Sequence, residues 1–535
     1  MQNNIWEFIR EYEQKVIELN KEANLAYFKA SISGKPEDYQ EAANLQLKIS
    51  KILADQDSFS KLKAFKQEGK IEDLELKRQL ELIYNDFAGH QYNEELLESI
   101  ITLSTKIEER FATFRTDVEG VSKTDNEIDD VLIESTDSAA LEKAWKASKQ
   151  IGDVTSNDVI KLVKMRNEAS RELGFNNYHE MALSLNEQDS KIIDALFDEL
   201  DELTKNQFIE LKNEIDNHAS QRYGIPKEDL MPWHYQDKFF QQGPKIYSVE
   251  LDKYFESIDI VAVTKSYYEG IGLDISDLFE KSDLFEKEGK YQHAYCTDID
   301  REGDVRTVCN IKPNHRWMST MLHEYGHAVY NKYVSPKLPW ALRTYSHIST
   351  TESIAMLFGR FATNPDWLKD VLGISADDRN KIEEPVNKSL MLEQLVFSRW
   401  VQVMYRFEKS LYENPDQDLN LLWWQLVEKY QMIKKPAGRD NPDWAAKIHL
   451  SLYPAYYHNY MLGELLASQL FYYISKNVLQ NTDIEKESFH NKKAAGKFLI
   501  ENFFAHGALY KWDELIIKST GEPLTPKYYA MQFVK

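Results

Sequence analysis

Residues 315–330 read His-Arg-Trp-Met-Ser-Thr-Met-Leu-His-Glu-Tyr-Gly-His-Ala-Val-Tyr. Their apolar members recur at helical spacing, which predicts an α-helix with a buried face. On that helix His323 and His327 lie one turn apart on the same face, so both imidazoles can ligate one metal ion, and Glu324 lies between them. The pattern is typical of a zinc site in which the glutamate faces a bound water. The alternative is a helix that carries two exposed histidines without a metal.

A third ligand is predicted farther along the chain. After His327 the next side chains able to bind a metal are those of His347 and Glu352. Glu352 opens an apolar helical run behind Ser-Thr-Thr at 349–351, any of which can cap that helix. We therefore predict one zinc ion (Zn2+) per chain, held by the two histidines and Glu352, with a fourth position open to water. His347 is the competing ligand, and Glu352 could instead be a first-turn acid that only complements the helix dipole.

Helical periodicity continues over most of the chain. A long first helix is predicted from Ile5 to the break at 34–36. Further helices are predicted over about 92–114, 156–174, 190–222, 247–271, 381–413 and 455–478. These patterns predict a mainly α protein built from long helices.

Two short segments before the motif helix carry the clearest strand signal. Tyr291–Ile299 and Val305–Ile311 flank a turn that contains Gly303, which predicts a β-hairpin. No long linker rich in Pro, Gly or Ser divides the chain, so we predict a single domain over 1–535 in two interleaved lobes, with its catalytic core at about 286–470.

Composition limits the partners. The chain has 65 Lys and Arg against 87 Asp and Glu, a formal net charge of −22. Nucleic acids and anionic membranes bind basic faces, so neither is expected as a partner. Solubility explains the acidic excess, and the alternative is a negative cleft that attracts cations or basic peptides. We expect a monomer or a small homo-oligomer.

Cysteine usage and the N-terminus bear on location. Cys296 and Cys309 are the two cysteines, which favours a reducing compartment, although they face each other in the predicted hairpin and could form a buried pair or a disulfide. The first residues lack the layout of a secretion signal, and no long apolar run occurs. We therefore expect a cytoplasmic protein.

Two further segments extend the pattern. Residues 292–298 read Gln-His-Ala-Tyr-Cys-Thr-Asp, and residues 447–460 begin Lys-Ile-His and end in a Tyr-x-x-Tyr pair. With the motif and Glu352, these segments resemble the angiotensin-converting-enzyme family and the related thimet oligopeptidase and oligoendopeptidase F families, which are gluzincin metallopeptidases. The resemblance covers essentially the whole chain. It implies an elongated, mainly helical fold of two lobes around a deep central channel that admits short peptides.

The resemblance also implies roles for individual residues. The protein would hydrolyse short peptides as an oligopeptidase or a dipeptidyl carboxypeptidase, with Glu324 as the general base. Tyr460 would donate a hydrogen bond to the oxyanion, assisted by His449 or His293. The implied substrate-binding residues are His293, Ala294, Tyr457, Lys447 and Gln236. Core packing is the alternative reading of the tyrosines.

Some positions depart from the family pattern. Met356 stands where the converting enzymes have an aspartate that supports the metal site, so that support must come from elsewhere. Asn459 replaces the arginine that binds chloride in those enzymes, which argues against activation by chloride. The alternative function is a catalytically inactive protein that binds peptides or acts as a scaffold on the same fold.

Overall fold

The computed structural model describes residues 2–67, 71–247 and 250–534 of the chain. Helices make up most of this part, and the strands described within it form two small antiparallel hairpins. The predicted mainly α fold is confirmed. The helices are α1 Gln2–Ser33, α2 Pro36–Leu53, α3 Gln56–Gln67, α4 Leu74–Ala88, α5 Glu94–Thr113, α6 Asp125–Glu134, α7 Ser138–Ser148, α8 Gln150–Glu172, α9 Tyr178–Leu185, α10 Ser190–Tyr223, α11 Ile260–Gly270, α12 His315–Tyr333, α13 Ile348–Gly359, α14 Pro365–Leu372, α15 Ala376–Glu413, α16 Leu419–Gln431, α17 His449–Leu452, α18 His458–Tyr473, α19 Lys493–Asn502, α20 Trp512–Thr520 and α21 Lys527–Phe533. The strands are β1 Thr116–Val118, β2 Val121–Lys123, β3 Tyr295–Asp298 and β4 Val305–Val308.

The chain divides into two compact units, each assembled from separate stretches of sequence. The first unit comprises Met1–Gln91, Val249–Val386 and Leu462–Tyr529. The second unit comprises Tyr92–Ser248, Asn387–Met461 and Ala530–Lys535. The motif helix α12 and the β3–β4 hairpin belong to the first unit, and the Lys447 to Tyr460 segment belongs to the second. The single catalytic domain over 1–535 stays a prediction.

In the first unit, α12 is buried beneath α11 and α13. Tyr268 on α11 is fully buried and donates its hydroxyl to the carbonyl of Leu322 on α12 at 2.5 Å. Tyr267, beside it, meets the rings of Phe361 and Trp367 edge-on, with centroids 5.9 and 5.6 Å apart. These large aromatic side chains fill the space around the motif helix, so its polar residues are held in a rigid core.

The β3–β4 hairpin is shorter than predicted. Tyr295 pairs with Val308 and Cys296 with Thr307, so Cys296 and Cys309 are not cross-strand partners, and both are free thiols. The residues before β3 satisfy their backbone groups elsewhere: the amide of Tyr291 donates to the carbonyl of Ser31 on α1 at 2.8 Å. The carbonyls of residues 291 and 292 accept from the side chain of Asn310, so a bond to a helix and side-chain bonds replace the first part of the predicted ladder.

The helix predicted over 247–271 is also shorter in the structure. α11 begins at Ile260, where Asp259 accepts a hydrogen bond from the amide of Ala262 at 3.0 Å and caps the helix. Upstream, the Asp252 carboxylate instead accepts from the amide of His315 at 2.9 Å, so this stretch serves as a packed loop. Residues 248 and 249 of the predicted helix lie outside the described residues. None of the described helices is both long enough and apolar enough to cross a membrane.

In the second unit, His179 is buried between two tyrosines. Its ring lies 5.8 Å from that of Tyr405 and 6.4 Å from that of Tyr412, and the residue is 2% exposed. Burial, and then the charge of Lys409, lowers the pKa of His179 from 6.5 to about 4, with Asp194 acting in the opposite direction. The folded protein therefore resists protonation of this ring.

Replacing His179 by phenylalanine is expected to remove part of the acid sensitivity of this unit. Because the folded pKa lies below the unfolded one, the unfolded wild type binds more protons between pH 6.5 and 4, and its stability falls as pH falls through that window. Phe keeps the aromatic packing and does not titrate. Urea unfolding should therefore favour the variant by on the order of 2 kcal/mol at pH 4.5 relative to pH 8. Equal pH slopes for the two proteins would contradict this account.

Candidate metal centre

Helix α12 holds the motif on a buried element, as predicted. Asn314 caps it by accepting from the amide of Trp317 at 2.9 Å. Gly326, between the motif glutamate and the second histidine, faces α13 so closely that a Cβ there would lie 2.7 Å from the Cα of Ala355. Glycine is thus required for the crossing of α12 and α13, the two helices that supply the candidate ligands.

Helix α13 begins at Ile348, two to four residues earlier than a cap at 349–351 would place it. Its cap is His347, whose Nδ1 accepts from the amide of Ser349 at 3.1 Å, and not one of the hydroxyl residues at 349–351. Glu352 therefore lies in the second turn, away from the helix N-terminus, so the reading of it as a dipole-complementing first-turn acid is wrong. With its ring engaged at the cap, His347 does not join the ligand cluster.

Three candidate ligands converge in the first unit. Nε2 of His323 and Nε2 of His327 each lie 3.8 Å from the same carboxylate oxygen of Glu352. The ligand atoms of the three residues all lie within 4.8 Å of one another, and among the described residues they form the group able to hold a metal ion. Two imidazole nitrogens and one carboxylate oxygen are the donor set of a catalytic zinc site, so these residues fit zinc.

Burial sets the protonation of the ligands and of the acid beside them. Desolvation lowers the pKa of His323 to about 4 and that of His327 well below its usual range, which leaves both rings neutral and ready to ligate. Desolvation, followed by repulsion from Glu352, raises the pKa of Glu324 to about 8. The cluster therefore combines neutral nitrogen donors with a carboxyl group suited to proton transfer near neutral pH.

A residue that sequence reasoning missed orients one ligand. Oγ1 of Thr351 lies 2.7 Å from Nδ1 of His327 in a hydrogen bond, and this contact turns Nε2 toward Glu352. Residues that hold a ligand in this way are as important to a metal site as the ligands themselves. Thr351 precedes Glu352 directly, which is the only signal in the sequence that could have indicated it.

Helix α18 packs behind the third ligand. A Cβ at Gly463 would lie 3.1 Å from Cβ of Glu352 and 3.0 Å from the sulfur of Met356. The next residue, Glu464, pairs with Arg360, and its charge, after desolvation, contributes to raising the pKa of Glu352 to about 7. Met356 thus packs against a helix backbone at the position where the converting enzymes have an aspartate.

The β3–β4 hairpin lies beside the motif glutamate. Burial, and next the negative charge of Glu324, raises the pKa of both Cys296 and Cys309, so both thiols lie near that carboxylate. His293 and Ala294 precede β3 directly, and His293 is exposed with its ring 5.4 Å from that of Tyr291. The strand predicted to contact substrate is therefore adjacent to the predicted base.

In the second unit, four of the predicted site residues lie together. Nζ of Lys447 lies 5.4 Å from the ring centre of Tyr457, and the ring of Tyr457 lies 5.0 Å from that of His449 and 5.4 Å from that of Tyr460. Desolvation lowers the pKa of Lys447 to about 8 and, with the Lys447 charge adding to it, that of His449 to about 4. Nδ1 of His449 is buried and has no hydrogen-bond partner within the described ranges.

The chain is similar to one family of known proteins over nearly its whole length. The family model described as angiotensin-converting enzyme matches residues 1–531. The chain belongs to the angiotensin-converting-enzyme family of peptidases. No curated protein matches the chain. The predicted family resemblance is confirmed. It supports the general class of the protein, which is a metallopeptidase.

Two side chains in this member of the angiotensin-converting-enzyme family make contacts that the motifs did not indicate. The side-chain oxygen of Gln236 accepts a hydrogen bond from the amide of Lys245 at 2.9 Å. The side-chain oxygen of Gln241, a residue that the sequence did not single out, accepts from Nζ of Lys447 at 2.5 Å. Asn459 is buried and accepts from Nε2 of Gln188 at 2.7 Å. A neutral amide contact thus stands at the position of the family's chloride-binding arginine.

Proposed function

We propose that the protein is a zinc-dependent peptidase that hydrolyses short peptides. The observation that carries this proposal is the convergence of His323, His327 and Glu352 within 4.8 Å, directly beside the buried carboxyl of Glu324. Membership of a peptidase family supports the reaction class. A metal site alone would be compatible with hydrolysis of other amides, but the family match extends over nearly the whole chain.

The chain's own residues supply the acid–base chemistry in this proposal. Zinc, when bound, lowers the pKa of a coordinated water toward neutrality and polarises the scissile carbonyl. Glu324 takes the proton of the attacking water and returns it to the leaving amine. Thr351 holds His327 in the ligating orientation. The buried surroundings strengthen each of these electrostatic contacts.

The substrate and oxyanion roles are extended from the family to residues of this chain. We propose that Tyr460 donates to the oxyanion with assistance from His449, whose unpartnered buried nitrogen would gain a hydrogen bond. Lys447 and Tyr457 are proposed to bind a substrate carboxylate, with Gln241 or Gln236 as the amide donor. His293 and Ala294 are proposed to contact the peptide backbone from the strand edge.

We propose the cellular setting expected from composition. Both cysteines are free thiols, which supports a reducing, cytoplasmic location. The neutral Asn459–Gln188 contact gives no support to chloride activation, so chloride dependence is not part of the proposal.

Removing the metal is expected to abolish cleavage of a quenched fluorogenic peptide, and adding zinc back is expected to restore it. Because zinc binds the folded site, it should also stabilise the protein by about 4 kcal/mol at a free concentration about 1,000-fold above Kd. Differential scanning fluorimetry of the chelated and reloaded protein measures that shift. Cleavage that survives complete metal removal would refute the mechanism. Peptide binding by the zinc-loaded protein without cleavage would favour the inactive scaffold instead.

Amidation of the substrate C-terminus is expected to separate the two peptidase modes. If Lys447 and Tyr457 bind a terminal carboxylate, an amidated peptide loses a charge-assisted hydrogen bond, and kcat/KM should fall by roughly 10- to 100-fold. Mass spectrometry of products from matched free and amidated peptides measures this and shows whether dipeptides are released. Equal cleavage of both peptides would assign the enzyme to internal cleavage.

A further inference from the structure

The turn between α17 and α18 leads into the two proposed substrate-site tyrosines: Tyr457 is its last residue, and Tyr460 lies in the first turn of α18. Ala455, at the centre of this turn, has φ of +53°, a left-handed conformation that side chains with a Cβ rarely adopt. Such a conformation persists only where its surroundings hold it, and it is often associated with functional sites. Tyr457 and Tyr460 follow within five residues, so the path of this turn sets where their side chains point.

A buried carboxylate binds the strained residue directly. Glu408 on α15 is 2% exposed, and one of its carboxylate oxygens accepts from the amide of Ala455 at 2.8 Å. Arg166 on α8 is 7% exposed and donates to the carbonyl of Ser451 at 2.8 Å and to the hydroxyl of Tyr412 at 3.1 Å. Burial raises the pKa of Glu408 to about 8, and the bond from Ala455 and the charge of Arg166 act in the opposite direction. The two side chains therefore hold the backbone at Ser451, just before the turn, and at Ala455, in its centre.

A purely structural role for Glu408 would be to neutralise Arg166. That role does not account for the bond to Ala455, because a side chain that only balances the Arg166 charge does not require a hydrogen bond from a residue in the left-handed conformation. Burying a carboxylate is costly, and apolar side chains often replace buried ion pairs without loss of stability. The direction of the Glu408 bond therefore points to control of the backbone at Ala455.

We propose that Glu408 is a positioning residue for Tyr457 and Tyr460, which it acts on through the amide of Ala455. This inference rests on the proposed function of the two tyrosines. Glu408 touches neither the substrate nor the metal ligands in this proposal. It keeps the turn in the one backbone conformation from which both hydroxyls are presented.

Paired variants test the backbone contact independently of catalysis. Glu408→Leu removes the acceptor and Glu408→Gln keeps one, so hydrogen exchange at residues 455–460 should become at least about tenfold faster in the first and change little in the second. Since Leu leaves Arg166 buried without its carboxylate, the same comparison is made in an Arg166→Met background, where no unpaired charge remains. Gln402→Ala, which deletes another buried side-chain bond of α15, controls for general loosening.

Kinetics then test the consequence for the tyrosines. We expect Glu408→Leu to lower kcat by roughly 10- to 100-fold, as misplacement of a positioned group by about 1 Å does, and Glu408→Gln to stay within about threefold of wild type. Combined with Tyr460→Phe, Glu408→Leu should add little further loss, because both changes remove the same contact. Unchanged exchange at 455–460 in the Leu variants, or fully additive losses, would overturn this inference. Absence of cleavage by the wild type would overturn the proposed function alone, and the exchange comparison would still decide the role of Glu408.

Discussion

Glu324→Gln is expected to lower kcat for peptide hydrolysis by about 100- to 10,000-fold, the usual contribution of a general base. The amide is nearly the same size as the carboxyl but cannot take a proton from the attacking water. Because His323, His327 and Glu352 are untouched, the variant should still bind one zinc ion per chain. Steady-state kinetics together with metal analysis of the purified variant measure both effects.

A surface variant separates this loss from a general effect of removing charge. Glu302, in the turn between β3 and β4, is exposed, and Glu302→Gln should leave kcat and zinc content unchanged. If Glu324→Gln also lost its zinc, the fall in activity would be caused by loss of the metal and not by loss of the general base. Near wild-type activity in a zinc-loaded Glu324→Gln protein would remove Glu324 from the mechanism.

Gly326→Ala is expected to destabilise the first unit by about 3 kcal/mol, the upper end of the usual cost of overpacking, because the added atom meets backbone. The added Cβ would lie 2.7 Å from the Cα of Ala355, and backbone atoms cannot rotate away as a side chain can. The helices that carry the ligands must then separate. Zinc affinity should fall together with stability, which denaturant titration and zinc titration of the same samples would show.

Gly359→Ala provides the matched control in the same helix pair. Its nearest neighbour would be Cβ of His323 at 3.4 Å, an ordinary contact, and alanine is the better helix former. We expect this variant to match the wild type in zinc affinity and to be at least as stable. Equal behaviour of the two glycine variants would mean that the close approach at Gly326 is not what sets the ligand geometry.

Much of the candidate metal site could be predicted because it depends on short-range geometry. Residues four apart on a helix share a face whatever the rest of the chain does, so His323 and His327 followed from spacing alone. Glu352 followed because few competing ligands occur after His327. The contact of Thr351 with His327 did not follow, since it depends on how two helices cross, which no local pattern records.

The errors arose where long-range contacts replaced local ones. The predicted hairpin was too long because the backbone of Tyr291 is hydrogen-bonded to α1. The predicted α11 was too long because the side chain of Asp252 is hydrogen-bonded to the start of α12. The helix predicted from residue 455 begins at His458, since Ala455 adopts a left-handed turn held by Glu408. Periodicity identifies apolar faces but does not show which backbone groups find partners far along the chain.

The discontinuous first unit constrains how the protein matures on the ribosome. Helices α1 to α4 are synthesised first, whereas Gly463, against which Glu352 packs, is synthesised more than 100 residues after the ligand itself. When His323 and His327 have just left the ribosome, the segment around Gly463 that packs against the third ligand has therefore not yet been synthesised. Metal loading is expected to be a late event that accompanies completion of the polypeptide, and C-terminally truncated products should accumulate as apo, aggregation-prone species.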